Sequence, residues 1–235
     1  MGGSIKKYRN EWKYNLTNQQ LAMINNRLDK IMDRDSHGDN GRYVIHSLYF
    51  DDHNDESLRD TASGYYKRYK YRIRFYDNDL SYITLEKKEK LYGRCHKRHC
   101  KLTIDEYNQI INKDYLDLVY DTDKQLLKEF IVDIMTRDVQ PKVIVNYERI
   151  AYVEEITNVR ITLDMKISAA YDFDNFLTND YISFPVQESL YNVLEVKFDD
   201  ILPSYIKNIV ESYSFNQLAF SKYYYCRYML DNYLR

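Results

Sequence analysis

The stretch YKRYKYRIRFY, residues 66–76, places Arg68, Lys70, Arg72 and Arg74 at every second position, with Tyr69, Tyr71, Ile73 and Phe75 between them. Successive side chains of an extended strand point to opposite faces, whereas a helix would scatter the same residues around its axis. The stretch is therefore predicted to be a strand with four cations on one face and four bulky apolar groups on the other. The apolar face needs a core, and the cationic face needs an anion or solvent.

Seven further segments have strand character: RNEWKYNL (9–16), RYVIHSLYF (42–50), SYITLEKK (81–88), GRCHKRHCKL (93–102), KVIVNYERIAYV (142–153), VRITLDMKIS (159–168) and YNVLEVKF (191–198). Short turn-forming stretches, DND at 77–79 and LYG at 91–93, predict antiparallel hairpins. Helices are expected at the breaks. Thr17 with Gln20 and Thr103 with Glu106 read as capping boxes, opening LTNQQLAMINNRLDKIM, with Leu21, Ile24, Leu28 and Ile31 on one face, and TIDEYNQIINKDYLDLVY. A third helix, DKQLLKEFIVDIM, is expected to stop at Pro141, a fourth to begin at Pro203, and a fifth to cover SKYYYCRYMLDNYL. With three prolines, six glycines and no internal repeat or linker, residues 1–235 read as a single α+β domain.

The net charge of -2 conceals a local imbalance, since residues 65–101 carry 12 Lys and Arg against 4 Asp and Glu. A slightly acidic chain without an aromatic RNP pattern is not expected to bind nucleic acid. No apolar run approaches the roughly 18 residues of a membrane span, and MGGSIKKYRN lacks the apolar core of a signal peptide. A cytoplasmic location is expected, with the three cysteines reduced.

The alternation recurs along the chain. Glu86 and Lys88 share a face; so do Arg160, Thr162 and Asp164, and so do Glu195 and Lys197 opposite Leu194, Val196 and Phe198. A solvated sheet face mixes neutral polar groups with charges of both signs, but the repeated unit here is a cation, or a carboxylate two residues before a lysine. Closing such strands into a barrel converges these groups on one lumen, where cations hold a polyanion and one or two carboxylates hold a divalent metal.

The ordered series RNEWKY, YRIRFY, TLEKK, the HKR of CHKRHC, NYERIAY, RITLD, LEVKF and SKYY, spread over nearly the whole chain, resembles the VTC domain. That domain belongs to the triphosphate tunnel metalloenzymes alongside the CYTH proteins. SLYFDD, residues 47–52, resembles the family strand that ends in an aromatic pair and aspartate. The resemblance implies an eight-stranded antiparallel β-barrel tunnel with flanking helices, binding triphosphate with Mn²⁺ or Mg²⁺. It implies Lys13, Arg72, Arg74, Lys88, Lys97, Arg149, Arg160, Lys197 and Lys222 as the phosphate-handling residues, with Arg72, Arg74, Lys88 and Lys197 contacting the bound nucleotide or polyphosphate. Glu195, Glu86 and Glu11 are the implied metal carboxylates. Arg68 and Lys70 are expected nearer the rim.

One departure bears on chemistry. Hydrolytic tunnel enzymes begin with E-x-E-x-K, whereas Arg9, Glu11 and Lys13 stand here, and Val193 occupies a position where a second acid could precede Glu195. Fewer acids and more cations favour holding a phosphate chain over activating water. The resemblance to the VTC domain, whose eukaryotic form makes polyphosphate from the γ-phosphate of ATP, together with this departure implies a polyphosphate polymerase: transfer of the γ-phosphoryl group of ATP onto phosphate, pyrophosphate or polyphosphate. The alternatives are a metal-dependent triphosphatase and a non-catalytic polyphosphate or inositol-phosphate binder. By analogy with eukaryotic relatives a membrane-protein partner is possible, although no residue here identifies one. In CHKRHC, residues 95–100, strand alternation separates Cys95 and His99 from His96 and Cys100, so no zinc site is expected. The acidic DDHNDES, 51–57, is expected to be a solvated turn.

Overall fold

The computed structural model describes residues 8–186, 192–211 and 215–233. All eight expected strands form, as β1 (Asn10–Leu16), β3 (Arg42–Asp51), β4 (Lys67–Tyr76), β5 (Asp79–Leu91), β6 (Arg94–Leu102), β7 (Gln140–Glu154), β8 (Val159–Ala170) and β10 (Asn192–Phe198). Two-residue strands β2 (Asp33–Arg34), β9 (Phe184–Pro185) and β11 (Asn216–Gln217) complete one antiparallel sheet of eleven. Tyr191, the expected first residue of the last long strand, lies outside the described residues. Seven helices accompany the sheet among the described residues: α1 (Asn18–Leu28), α2 (Glu56–Ala62), α3 (Ile104–Ile111), α4 (Leu116–Asp121), α5 (Gln125–Arg137), α6 (Ser204–Glu211) and α7 (Lys222–Tyr233). The class is α+β.

The long strands run in the order β1-β10-β8-β7-β3-β4-β5-β6. The two ends meet at one place, an isolated bridge in which Arg9 and Cys95 exchange two backbone hydrogen bonds of 3.0 Å. There is no continuous ladder between β1 and β6, so the sheet departs from the expected closed eight-stranded barrel. The free edge of β1 is divided, because Tyr14 and Asn15 pair with β11 and leave only its start to reach β6.

Period-two alternation decides which side each strand buries. Tyr71, Ile73 and Phe75 of β4, with Leu48, Phe50, Ile83 and Leu85, pack under Tyr107, Leu127, Phe130 and Ile131 of the α3–α5 region. A second apolar cluster joins Leu163, Ile161, Leu194 and Val196 to Ile24 and Leu28 of α1 and Ile206 and Val210 of α6. The third lies on the opposite, polar face of the sheet, where Tyr223, Cys226 and Leu230 of α7 cover Val143, Val145 and Ala169.

Both capping boxes form, with Thr17 Oγ1 accepting from the Gln20 amide at 3.2 Å and Thr103 Oγ1 from the Glu106 amide at 3.1 Å. Other expectations need correction. The 103–120 segment is two helices, because Asn112 caps α3 and Lys113 turns left-handed at φ 63°. Helix α5 ends at Arg137 through Asp138 at φ 52°, and Pro141 lies inside β7. Helix α1 ends at Leu28, so Ile31 is exposed and Met32 is buried in its place. The DDHNDES segment is not a solvated turn: Asp51 and Asp52 are buried, and their carboxylates accept the Glu56, Ser57 and Leu58 amides that open α2. Carboxylates satisfy the free donors of a helix N-terminus, a role the acidic run conceals.

Phe130 is fully buried and meets Phe50 edge-on at 5.0 Å. Phe130→Ala is expected to cost about 3–5 kcal/mol, read as a lower urea midpoint at unchanged slope. An unchanged midpoint would mean that α5 does not cover the sheet as described.

Candidate active site

Residues directly opposite in an antiparallel ladder share a face, so the pairing register carries one face across the sheet. Lys13 is opposite Glu195 and Glu195 opposite Thr162; Glu11 is opposite Lys197 and Lys197 opposite Arg160. Arg149 is opposite both Asp164 and Tyr43. On the other half, Ser47 faces Arg74, Tyr49 faces Arg72, Arg72 faces Glu86, and Lys70, Lys88 and Lys97 stand in one row across β4, β5 and β6. Every strand-borne candidate thus lies on one face. Lys222 reaches that face from the start of α7, with Nζ 2.5 Å from Asp164 Oδ2.

Four carboxylates organise the cations into groups. Glu86, from β5, meets Arg72 at 2.6 Å, Lys97 at 3.0 Å and Arg74 at 3.9 Å. Glu11 meets Lys88 at 2.7 Å and Lys13 at 3.1 Å. Glu195 meets Lys197 and, at 3.4 Å, the same Lys13, so one ammonium spans two carboxylates. Asp164 takes the Arg149 guanidinium in a two-pronged pair at 2.6 and 2.8 Å and also takes Lys222. Tyrosines fill the remaining positions: Arg72 donates to Tyr49 Oη at 2.9 Å and Arg74 to Tyr147 Oη at 3.1 Å.

Three residues here were not singled out by sequence. Asp164 was visible on the polar side of RITLD, but nothing in the pattern shows that it clamps Arg149 and Lys222. Lys70, set toward the rim by sequence, stands beside Lys88 and donates to Ser221 Oγ at 3.0 Å. Tyr147 lies under Lys222 and Arg149, whose cationic centres sit 4.6 and 5.3 Å from its ring centre. Two predicted residues lie apart from the main groups. Arg160 pairs with Asp35 and donates to Tyr43 Oη at 3.0 Å, with a third of its side chain exposed. Glu86 pairs with Arg72 and Lys97, and among the described residues no three acidic, histidine or cysteine side chains converge as a metal cage.

Lys13, Lys70, Arg72, Arg74, Lys88, Lys97, Arg149, Lys197 and Lys222 make nine cations against the four carboxylates, and the titration behaviour follows. Burial alone would raise the Glu195 carboxyl, yet Lys197, Lys13, Lys88 and Lys222 together hold it well below the usual range. Glu86 is held down against its burial by Arg72, Arg74 and Lys97, and Glu11 by Lys88, Lys13 and Lys197. Arg149 and Lys222 hold Asp164 at about 2 against its burial. Lys70 has too little compensation: burial first, then Lys13, Lys88 and Arg68, pushes it well below the ordinary lysine range. The Tyr147 phenol, raised by burial but surrounded by Arg149, Arg74 and Lys222, falls to about 8. This is a site with a surplus of desolvated positive charge.

A family model for the VTC domain matches residues 8–230. The chain belongs to the VTC domain family. No curated protein matches it. The solved structures that share its fold include two proteins, each described as a "putative adenylate cyclase". The one from Bacillus halodurans has TM-score 0.56 at 11% identity, over 92% of this chain and 94% of that one. The one from Vibrio parahaemolyticus has TM-score 0.52 at 9% identity, over 96% and 98%. At such low identity the likeness extends to the fold. Among the described residues of this VTC domain, no helix is long and apolar enough to cross a membrane.

The depressed Asp164 predicts an acid-sensitive domain. Its folded value lies below the ordinary 3.8, so its contribution is fully present above about pH 4 and is lost as pH falls through about 2. That contribution is on the order of 2 kcal/mol. Asp164→Asn should be less stable at neutral pH and lose stability less steeply between pH 4 and 2, followed by urea unfolding. An acid limb as steep as that of the parent would contradict the pairing with Arg149 and Lys222.

Proposed function

We propose that this VTC domain is a tunnel phosphotransferase that moves the γ-phosphoryl group of ATP onto phosphate, pyrophosphate or a growing polyphosphate chain. The observation that carries the reading is the row Lys70, Lys88 and Lys97, three lysines directly opposite one another within a face of nine basic side chains and four carboxylates. Like charges so placed repel, and phosphate oxygens are the ligands that relieve them. Arg72, Arg74, Arg149 and Lys197 are the residues proposed to grip the transferring group, with Lys13, Lys88, Lys97 and Lys222 around it and Arg160 at the edge.

In the transfer, an oxygen of the acceptor phosphate forms a bond to the γ-phosphorus as the bond to the β-bridging oxygen breaks, and ADP leaves with that oxygen's electron pair. The acceptor oxygen is already anionic, so no general base is required, and the barrier is lowered by positioning and charge neutralisation. Glu11 and Glu195 are the carboxylates that would hold Mn²⁺ or Mg²⁺. Their side chains are buried and span a common cation, Lys13, and the buried Thr162 hydroxyl opposite Glu195 has no hydrogen-bond partner among the described residues. This donor set fits an ion that takes one or two carboxylates and completes its shell with phosphate oxygens and water. Such an ion, when bound, supplies neutralisation of charge on the phosphates.

Hydrolysis of a short triphosphate is the second reading, and one observation favours it. Helix α7 covers the Val143, Val145 and Ala169 end of the cationic face, which shortens the track available to a polymer. Incubating the protein with ATP, Mn²⁺ and a pyrophosphate primer separates the readings by phosphorus NMR. Internal-phosphate signal with ADP release is expected, whereas orthophosphate alone would support hydrolysis. Arg72→Ala and Lys197→Ala should each lower turnover at least about 100-fold with the fold retained. Full turnover in both would overturn the assignment. Tripolyphosphate should bind more weakly as salt rises toward 0.5 M, because part of the attraction is screened, and a flat salt profile would argue against a cationic site.

A further inference from the structure

The cationic ladder of β4 and β5 ends at the surface in two tyrosines. Following the register outward, Arg72 faces Glu86, Lys70 faces Lys88, Arg68 faces Lys90, and beyond them the Tyr92 amide donates to the Tyr66 carbonyl at 3.0 Å. Tyr66 and Tyr92 stand just past the last rung of this ladder, Tyr66 one residue before β4 and Tyr92 one residue after β5. Their rings stack with centres 4.9 Å apart and 20° between planes, and Tyr65 meets Tyr66 at 4.9 Å and 50°, so Tyr92, 75% exposed against 46% for Tyr66, presents the open face of the stack.

The backbone makes Tyr92 unusual. It occupies the first position of the two-residue β5–β6 turn with φ 47°, followed by Gly93 at φ 82°. A turn with two positive φ values favours Asn-Gly, and a bulky side chain there is strained. Among the described residues, every other non-glycine position with positive φ holds Asn, Asp or Lys. A cross-strand aromatic pair that served the hairpin alone could sit one rung lower without this strain. Backbone strain of this kind, retained for one exposed ring, points to a ligand for that ring.

We infer that Tyr66 and Tyr92 form the nucleobase subsite of the domain, stacking the base of the nucleoside triphosphate whose phosphates enter the cationic face. This rests on the proposed use of that face for phosphate. Rungs on one face of a strand are about 7 Å apart, so Arg68 with Lys90 and Lys70 with Lys88 lie about 7 and about 14 Å beyond the rings. A nucleotide whose base lies on the tyrosines would carry its triphosphate along Arg68, Lys90, Lys70 and Lys88, with the γ-phosphate delivered toward Arg72, the next rung, and Lys197, which is opposite the Glu11 that holds Lys88. Stacking on an aromatic face is tolerant of base identity, so the subsite selects a nucleotide over an inorganic phosphate chain and not one purine over another.

The test compares binding of the β,γ-methylene analogue of ATP with binding of inorganic tripolyphosphate, by calorimetry on the full chain. Tyr92→Asn installs the residue that this turn prefers, so the hairpin is expected to hold or gain thermal stability. It should weaken the ATP analogue about tenfold, as loss of one stacking partner does, and leave tripolyphosphate within twofold. Tyr66→Phe should retain both affinities and Tyr66→Ala should lose the nucleotide preference. If ATP and tripolyphosphate weaken equally in Tyr92→Asn and Tyr66→Ala, or neither weakens, the nucleobase subsite is overturned while the phosphate reading stands. If the parent protein binds neither ligand, both readings fall together.

Discussion

Mutual repulsion among cations fixed on one sheet face is the constraint around which this molecule is arranged. Strand alternation forces the charges of β4, β5 and β6 to that side, and antiparallel pairing then sets Lys70, Lys88 and Lys97 in line. Such a row is unfavourable by itself. The carboxylates are distributed to limit the repulsion, with Glu86 between Arg72 and Lys97, Glu11 between Lys88 and Lys13, and Asp164 between Arg149 and Lys222. Buried ion pairs of this kind recover little net stability once desolvation is counted. The stability that holds the face together has to come from apolar burial, in the two clusters on the other side of the sheet, beneath α1 and α6 and beneath α3 and α5, and in the third beneath α7.

Helix α7 ties the two sides of that balance together. Its first residue delivers Lys222 to Asp164, Ser221 just before it accepts from Lys70, and the next turns dock through Tyr223 on Asp51 at 2.6 Å and Arg227 on Asp55 at 3.1 Å. The carboxylate of Asp51 therefore serves two elements, accepting amides at the start of α2 and the Tyr223 hydroxyl of α7. A charged side chain from a helix enters a strand-lined site only if the helix is held at a fixed height, and the aspartates at the end of β3 and the start of α2 supply that hold.

Much of this was legible in the sequence because period two is a strong signal wherever one face is apolar and the other charged. RIRF, LEKK, RITLD and LEVK each declared both a strand and the side its charges take. What pattern cannot declare is which charges meet. Asp164 and Glu195 look alike in alternation, but only the register of β7 on β8 reveals that Asp164 is clamped by Arg149. Closure failed for a related reason: a list of eight strands carries no information on whether the free edge of β1 goes to β6 or, as Tyr14 and Asn15 do, to β11. The two buried aspartates at 51 and 52 resembled a loop because helix-opening carboxylates and solvated acidic turns have the same composition.

The protonation states bear on which reaction the site suits. A general base works best when its pKa lies near the operating pH. The four carboxylates that organise the cations are held the other way: Glu11, Glu86 and Glu195 lie below the usual range, and Asp164 is at about 2. Such groups are poor acceptors for a proton from water. The acid that a hydrolytic arrangement could have carried at position 193 is replaced by Val193, and the acid directly opposite, Asp164, is already taken by two cations. Although the Tyr147 phenol, at about 8, titrates near neutral pH, carboxylates kept ionised and cations in surplus suit, under the proposed function, a nucleophile that arrives already deprotonated. A terminal phosphate is such a nucleophile, and water is not.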